Sequence, residues 1–366
     1  MTKTRIPIYQ PDLSGNELKY VTECIESTWI SSKGRFVSEF ESKFADFCGL
    51  KYAASVSNGT VALHLALLAL DIGPGDEVIV PTLTYIASVN AIKYTGAKPV
   101  FVDSLPDTWQ MDPEDVRRKI TPKTKAIMAV HLYGQPVDMN QILKIARQKK
   151  IKIVEDCAEA IGTEYRGKHV GGFGDIACFS FFGNKTITSG EGGMIASNSK
   201  ALIEKVRRLK GQGLAAGKEY WHDILGYNYR MTNVCAAIGL AQLERIDDFI
   251  QRKRQVAKTY EKLLADSKVS FHKESGPVNH SFWMCSILVP KKSQRDKLRQ
   301  HLDKLDIETR PVFWPVHLMP MYRSTELFPV AQDLAARGIN LPSWPGLSNY
   351  QLKFIANNIT AFMETA

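Results

Sequence analysis

The chain has 366 residues, 44% of them hydrophobic and 23% charged, and a formal net charge of +9. These proportions suit a soluble globular protein and exclude a disordered or fibrous one, while the length calls for a large α/β unit or for a large and a small lobe. The positive charge is spread along amphipathic stretches without a dense basic tail, which argues against nucleic acid and leaves a small anionic ligand or a generally basic surface.

Residues 1–9 lack the apolar core of a signal peptide, and no apolar run approaches the ~18 residues of a membrane span, so a cytoplasmic protein with no membrane association is expected. Cys24, Cys48, Cys157, Cys178, Cys235 and Cys285 are scattered with no CxxC pair. Neither a disulfide framework nor a metal site is therefore expected.

Between Val61 and Val154 helical patterns alternate with short runs that are apolar throughout, which is the pattern of a parallel sheet covered on both faces. Residues 61–70 read as a buried helix, 73–76 (Gly-Pro-Gly-Asp) as a turn and 77–80 (Glu-Val-Ile-Val) as a strand. A helix at 88–94, a strand at 98–102, a helix at 113–119, a strand at 126–130, a helix at 139–149 and a strand at 151–156 follow. Such repeated βα units make an α/β sheet with helices on its faces. A long helical run, 233–264, carries Lys, Arg, Gln and Glu on one face, and the division expected is a large domain over 1–245 and a small one over 246–366. Beyond it the sequence suggests a strand within 282–289, a helix at 294–305 and the aromatic, proline-rich segment 310–317 (Arg-Pro-Val-Phe-Trp-Pro-Val-His).

Lys185 stands between an apolar run and the glycine-rich turn Gly190-Glu-Gly-Gly193. Partial desolvation there would lower the pKa of its amine and let it condense with an aldehyde, for which pyridoxal phosphate (PLP) is the candidate. Asp156 closes the strand at 151–156, at the edge where open α/β sheets bind ligands. It could pair with the ring nitrogen of such a cofactor, or simply cap a helix. Ser57-Asn-Gly-Thr60 precedes a helix and could hold a phosphate at the helix N-terminus, though it also makes a good turn and cap. Ser180, inside Cys178-Phe-Ser-Phe-Phe182, needs a polar partner if buried, and a phosphate oxygen is one.

In order, Ser57 to Leu63, Gly75 to Thr82, Glu155-Asp-Cys-Ala-Glu-Ala160, the Lys185 segment and Gly226-Tyr-Asn-Tyr-Arg-Met-Thr-Asn233 resemble the sugar aminotransferases of the DegT/DnrJ/EryC1/StrS family, nearly end to end. The resemblance implies the PLP-dependent type I aspartate-aminotransferase fold, with a mainly parallel seven-stranded sheet flanked by helices and a smaller C-terminal α/β domain. It implies that Lys185 is the catalytic lysine that links PLP and later moves the proton, that Asp156 meets the ring nitrogen, and that Gly59, Thr60 and Ser180 hold the phosphate. Tyr85 would lie on the ring face, Glu159 would replace the Gln or His of many relatives, and Asn228 would reach the cofactor of a neighbouring subunit in a homodimer or tetramer with shared sites.

Within the family, residues 27–34, 181–188 and 309–317 resemble one branch, and that resemblance implies transfer of an amino group from L-glutamate to the C4 ketone of a nucleotide-diphosphate keto sugar, GDP-4-keto-6-deoxy-D-mannose, for polysaccharide synthesis. A dTDP- or UDP-linked sugar, or a non-catalytic nucleotide-sugar-binding protein of the same fold, is the alternative. Trp29, Ser31, Lys33, Arg230 and His317 are the candidate substrate-binding residues, since aromatic faces suit sugar and base while cations suit the diphosphate. His317 could equally be packed in the interior.

Overall fold

The computed structural model describes residues 5–365. The chain opens with helices α1 (Glu17–Glu26) and α2 (Arg35–Phe47). Phe36, Phe40 and Phe44 recur at helical spacing on α2, and the last two meet Phe181 and Phe179 with ring centroids 5.0 and 4.9 Å apart. That contact lays the helix against the central sheet.

The alternating region runs β1 (Tyr52–Val56), α3 (Gly59–Ala69), β2 (Glu77–Pro81), α4 (Ile86–Tyr94), β3 (Lys98–Val102), α5 (Pro113–Lys119), β4 (Thr124–Val130), α6 (Met139–Lys149) and β5 (Lys152–Asp156). Every helix and strand expected between residues 61 and 156 is present, with ends that differ only slightly. A small hairpin, β6 (Glu164–Tyr165) and β7 (Lys168–His169), precedes β8 (Ile176–Ser180), β9 (Gly193–Ser197) and α7 (Lys200–Lys210).

The central sheet has seven strands in the order β1-β9-β8-β5-β4-β2-β3. Neighbours from β8 to β3 are parallel, and β9 runs against both β1 and β8. The apolar runs are explained by burial on both faces. Val78 and Val80 point to a core shared with Leu63 and Leu67 of α3, while Ile79 points to the opposite core with Phe40 of α2 and Ile142 of α6.

The single helix expected over 233–264 is two, α8 (Asn233–Leu243) and α9 (Ile246–Leu263). They differ in surroundings: α8 is apolar and largely buried, whereas α9 carries a solvated face. At the break the Arg245 guanidinium donates to both carboxylate oxygens of Asp12 at 3.1 Å, which fixes the turn between them.

Early residues of α9 such as Phe249 pack into the large sheet's core, while Val256 and Tyr260 enter a further core. That core is built on β10 (Ser270–Phe271), β12 (Cys285–Leu288), β13 (Arg310–Pro311) and β14 (Gly338–Leu341), an antiparallel sheet in the order β10-β12-β14-β13. Helices α10 (Lys292–Asp303), α11 (Pro329–Arg337) and α12 (Asn349–Thr365) accompany it, and β11 (Val278–Asn279) instead pairs with β6. Ile6, grouped with the large domain by sequence position, packs in this second core and bridges to Ile307, which lies far from it in the chain.

Candidate active site

The parallel strands end on one edge of the sheet, and three of their continuations meet there. β5 ends on Asp156, whose buried carboxylate accepts from the Ser88 hydroxyl at 2.7 Å and from the Ala158 amide at 3.1 Å. Burial raises its pKa, and those two bonds and Lys185 oppose the rise. The second contributor is the start of α3. The Asn58 side chain accepts from the Val61 amide at 3.0 Å and so caps the helix, and Gly59 and Thr60 in the first turn line the cavity beyond.

The third is the loop after β8. It is closed on itself by hydrogen bonds from the Phe181 amide to the Gly192 carbonyl and from the Ser189 amide to the Phe181 carbonyl, both 2.9 Å. Lys185 lies in this loop with its side chain turned inward and buried. Its Nζ is 3.6 Å from Glu159 Oε1 and 3.8 Å from the centre of the Trp283 ring.

Desolvation dominates the electrostatics of this group. Burial lowers the Lys185 pKa and raises that of Glu159 to about 7, while each charge resists the other's neutralisation. The other Glu159 oxygen accepts from the Tyr133 amide at 2.9 Å. Tyr133 aims that N–H by adopting a left-handed backbone with φ of 57°, a conformation that non-glycine residues hold only where their surroundings enforce it. Here its ring is stacked between Trp283 and Phe313, and its hydroxyl accepts from the Phe313 amide at 3.0 Å.

The cavity enclosed has a volume of about 540 Å³, and its walls include Gly59, Thr60, Tyr85, Asp156, Glu159, Ser180 and Lys185. Asn228 is absent from these walls; it is exposed, and its side-chain oxygen accepts from Arg230 Nε at 3.1 Å. A second chamber of about 620 Å³ adjoins the first and shares Thr84, Tyr85, Asn184, Trp283 and Phe313 with it. Its walls include five aromatic residues (Tyr9, Tyr85, Trp283, Phe313, Trp314) among aliphatic and neutral polar ones, and its charged residues are Glu308 and Arg310, which form an ion pair at 2.5 Å.

Of the residues expected to bind substrate, Trp29, Ser31, Lys33 and Arg230 are exposed and lie outside the walls of both chambers. His317 is buried, hydrogen-bonded through Nδ1 to Thr82 Oγ1 at 2.7 Å and packed on Phe328, so within one chain it has no path to either chamber. The sequence reading missed Tyr9, Tyr133, Trp283 and Arg310. Only Arg310 carried a signal, as the cation opening the quoted aromatic segment.

Buried His131, Glu155 and Cys157 have potential metal-ligating atoms within 4.8 Å of one another. Two of the three are already engaged: Glu155 accepts from the amides of Gly171, Phe173 and Gly174 and pairs with His131, whose other ring nitrogen accepts from the Val137 amide at 3.1 Å. This cluster pins the loop after β7 to the sheet.

The cavity fits a planar phosphorylated cofactor in three respects. A helix N-terminus faces it, a carboxylate stands deep within it, and Gly59 approaches Ser180 so closely that a Cβ there would lie 2.8 Å from the serine Cβ.

The chain is similar to known proteins over nearly its whole length. The chain is 62% identical to the GDP-perosamine synthase of Escherichia coli O157:H7 over 98% of both chains, and 54% identical to that of Vibrio cholerae over 98% of this chain and 99% of the other. Among solved structures, a Streptococcus pneumoniae protein assigned as a sugar aminotransferase, in its PLP form, superposes with a TM-score of 0.94 at 29% identity over 99% of both chains. The aminotransferase TlmJ of Streptoalloteichus hindustanus gives 0.94 at 30% over 98% of this chain and 99% of its own. With the family's model matching residues 11–360 as well, the chain is a member of the DegT/DnrJ/EryC1/StrS aminotransferase family.

Proposed function

We propose that this protein is a PLP-dependent nucleotide-sugar aminotransferase that takes the amino group of L-glutamate and places it on C4 of GDP-4-keto-6-deoxy-D-mannose, giving GDP-perosamine. The observation that carries the reading is the buried Lys185 amine, set between Glu159 and Trp283 in a cavity that also presents Asp156 and the N-terminus of α3. When bound, PLP supplies the electron sink that stabilises negative charge on the carbon losing its proton.

The protein's own residues do the rest. Gly59, Thr60 and Ser180 bind the phosphate, with the helix dipole favouring the anion. Asp156 holds a proton at the ring nitrogen, and Tyr85 covers the ring face. Lys185 anchors the cofactor covalently, then as a free amine carries the proton away from the substrate carbon and returns it on the other side of the transfer. Glu159 and Trp283 give that amine a resting place between the two duties. Arg310 in the aromatic chamber is the cation for the substrate's anionic portion.

Asn228 and Arg230, exposed beside the end of β1, suit a site completed by a second copy of the chain, so the active unit is a homodimer. Six cysteines outside any disulfide accord with a cytoplasmic setting. Among the described residues no helix is long and apolar enough to cross a membrane. The test is to supply glutamate with GDP-, dTDP- and UDP-linked 4-keto-6-deoxy sugars and identify the product by mass spectrometry and NMR. An amino sugar formed only from the GDP substrate is expected; preference for another nucleotide would overturn the substrate assignment, and no amination of any would overturn the activity.

A further inference from the structure

Lys253, in the middle of α9, carries an amine into the interior, where the residue is 1% exposed. Among the described residues it has no carboxylate partner. A cation in that position costs stability that an apolar residue of the same size would not, so its donors have to be used. Nζ donates to the Trp283 carbonyl at 3.1 Å and to the Ser343 carbonyl at 2.6 Å, and it lies 5.3 Å from the centre of the Tyr9 ring. Burial lowers its pKa to about 8; a neutral amine still has two N–H donors, so both carbonyls stay served in either state.

The groups gathered around this one nitrogen are those that grip the Lys185 loop. Trp283 donates through Nε1 to the Asn184 carbonyl at 2.7 Å, and its ring face lies beneath Lys185 Nζ. The Tyr9 hydroxyl donates to the carbonyl of Lys185 itself. Ser343 secures the arm that bears Tyr9, donating its amide to the Ile8 carbonyl at 3.2 Å. Two successive carbonyls of the loop are therefore held by two aromatic side chains, both referenced to a single buried amine on a helix that touches neither the cofactor cavity nor its contents.

We propose that Lys253 is a positioning residue for amino transfer, holding Trp283 and Tyr9 in register and through them the main chain at Asn184 and Lys185 and the amine of Lys185. This rests on the assignment of Lys185 as the cofactor-linking lysine. The chemistry explains why such a fixture is needed: one amine must serve first as a covalent anchor and then as a proton carrier at a different atom, and a misplacement of about 1 Å in such a group costs roughly a hundredfold in rate.

The experiment compares Lys253→Met, which keeps length and removes the donors, with Lys253→Gln, which restores N–H donors. In the holoenzyme the single-turnover rate with glutamate is expected to fall about a hundredfold in Lys253→Met, with the apparent glutamate affinity within about threefold of wild type, and Lys253→Gln to recover most of the loss. In the cofactor-free protein, acetylation of Lys185 by acetic anhydride, followed by mass spectrometry, is expected to change by about fivefold or more in Lys253→Met and little in Lys253→Gln. Wild-type values of both in a folded Lys253→Met protein, or equal losses in the two variants, would overturn the proposal.

Should Lys253→Met fail to fold, Tyr9→Phe and Trp283→Phe decide, each removing one donor to the loop. Their combined effect on the single-turnover rate is expected to depart from the product of the single effects, and strict additivity would count against a shared fixture. A Lys185→Ala variant that still completes the glutamate half-reaction would bring down the parent assignment instead, so the two failures are distinguishable.

Discussion

Lys185 Nζ lies 3.6 Å from Glu159 Oε1, and both side chains are withdrawn from solvent. A lysine that must turn nucleophilic near neutral pH has to give up its proton, and dry surroundings favour that loss. A carboxylate partner would ordinarily hold the proton on the amine. Here the carboxylate is buried too, with its pKa raised to about 7, and burial lowers that of the lysine, so the pair holds the amine's proton less firmly than an exposed ion pair would. Trp283 closes the far side and keeps water from levelling the difference.

Lys185→Ala removes the anchor. Purified with PLP, the wild type is expected to give a borohydride-fixed peptide containing residue 185, and the variant none. The glutamate half-reaction should slow by at least ~10²–10⁴-fold, the usual worth of a positioned acid–base group. A variant that retains near-wild-type turnover would place the chemistry on another residue.

The raised pKa of Glu159 has a consequence for the cofactor-free protein. The group moves from 4.5 to about 7 on folding, so the folded chain keeps a proton that the unfolded chain has already released. Its contribution favours the fold below the unfolded value and is lost as pH climbs through the folded one. Thermal melts of wild type and Glu159→Gln from about pH 5 to about pH 8 are thus expected to show the wild type losing ground to the variant as pH rises. A difference independent of pH would mean that Glu159 does not titrate in this window.

Most of the central sheet could be read from the chain because apolar runs such as Val78 to Val80 reflect burial on both faces, a purely local signature. The cavity residues on the strand ends and the first turn of α3 were legible for a similar reason: motif and element boundary coincide at Asp156 and Gly59. What escaped was contact across the two cores. Trp283 reads as one more apolar residue before β12, and Tyr133 gives no hint of the backbone it adopts, since both owe their roles to contacts between residues far apart in the chain. Lys253 gives no local sign of burial, standing in a run rich in Lys, Arg, Gln and Glu; its side chain nevertheless turns inward to the Trp283 and Ser343 carbonyls. For His317 the sequence left both readings open, and the structure shows it buried against Phe328.

Gly59→Ala tests the fit at the phosphate end. A Cβ at this position would sit 2.8 Å from Ser180 Cβ and 3.1 Å from its hydroxyl oxygen, so helix α3 or the end of β8 has to give way. Overpacking of this kind costs about 1–3 kcal/mol, which, expressed in the cofactor site, is roughly a tenfold to hundredfold weaker affinity for PLP. Titration of the apoprotein with PLP, followed by quenching of tryptophan fluorescence, measures it. Unchanged affinity would show that the α3 terminus does not hold the phosphate.

Arg310 tests the second chamber. Its guanidinium is paired with Glu308 at 2.5 Å, and Glu308 in turn accepts from the Ile8 amide at 3.2 Å, so the pair presents no net charge until an anion competes for the arginine. The surrounding aromatic rings offer stacking surface but no other cation. Arg310→Met keeps the apolar stem and deletes the charge. The expected result is a KM for the GDP sugar raised about tenfold, the worth of roughly one charge-assisted hydrogen bond, with PLP affinity unchanged. Arg310→Lys should restore only part of it, because a point charge cannot make the forked contact. The difference between wild type and Arg310→Met should also shrink at high salt, since the side chain is 63% exposed and open to screening. If the KM for glutamate rises instead and that for the sugar stays put, the chamber receives the amino donor's carboxylate and the nucleotide lies elsewhere, towards the exposed Asn228 and Arg230.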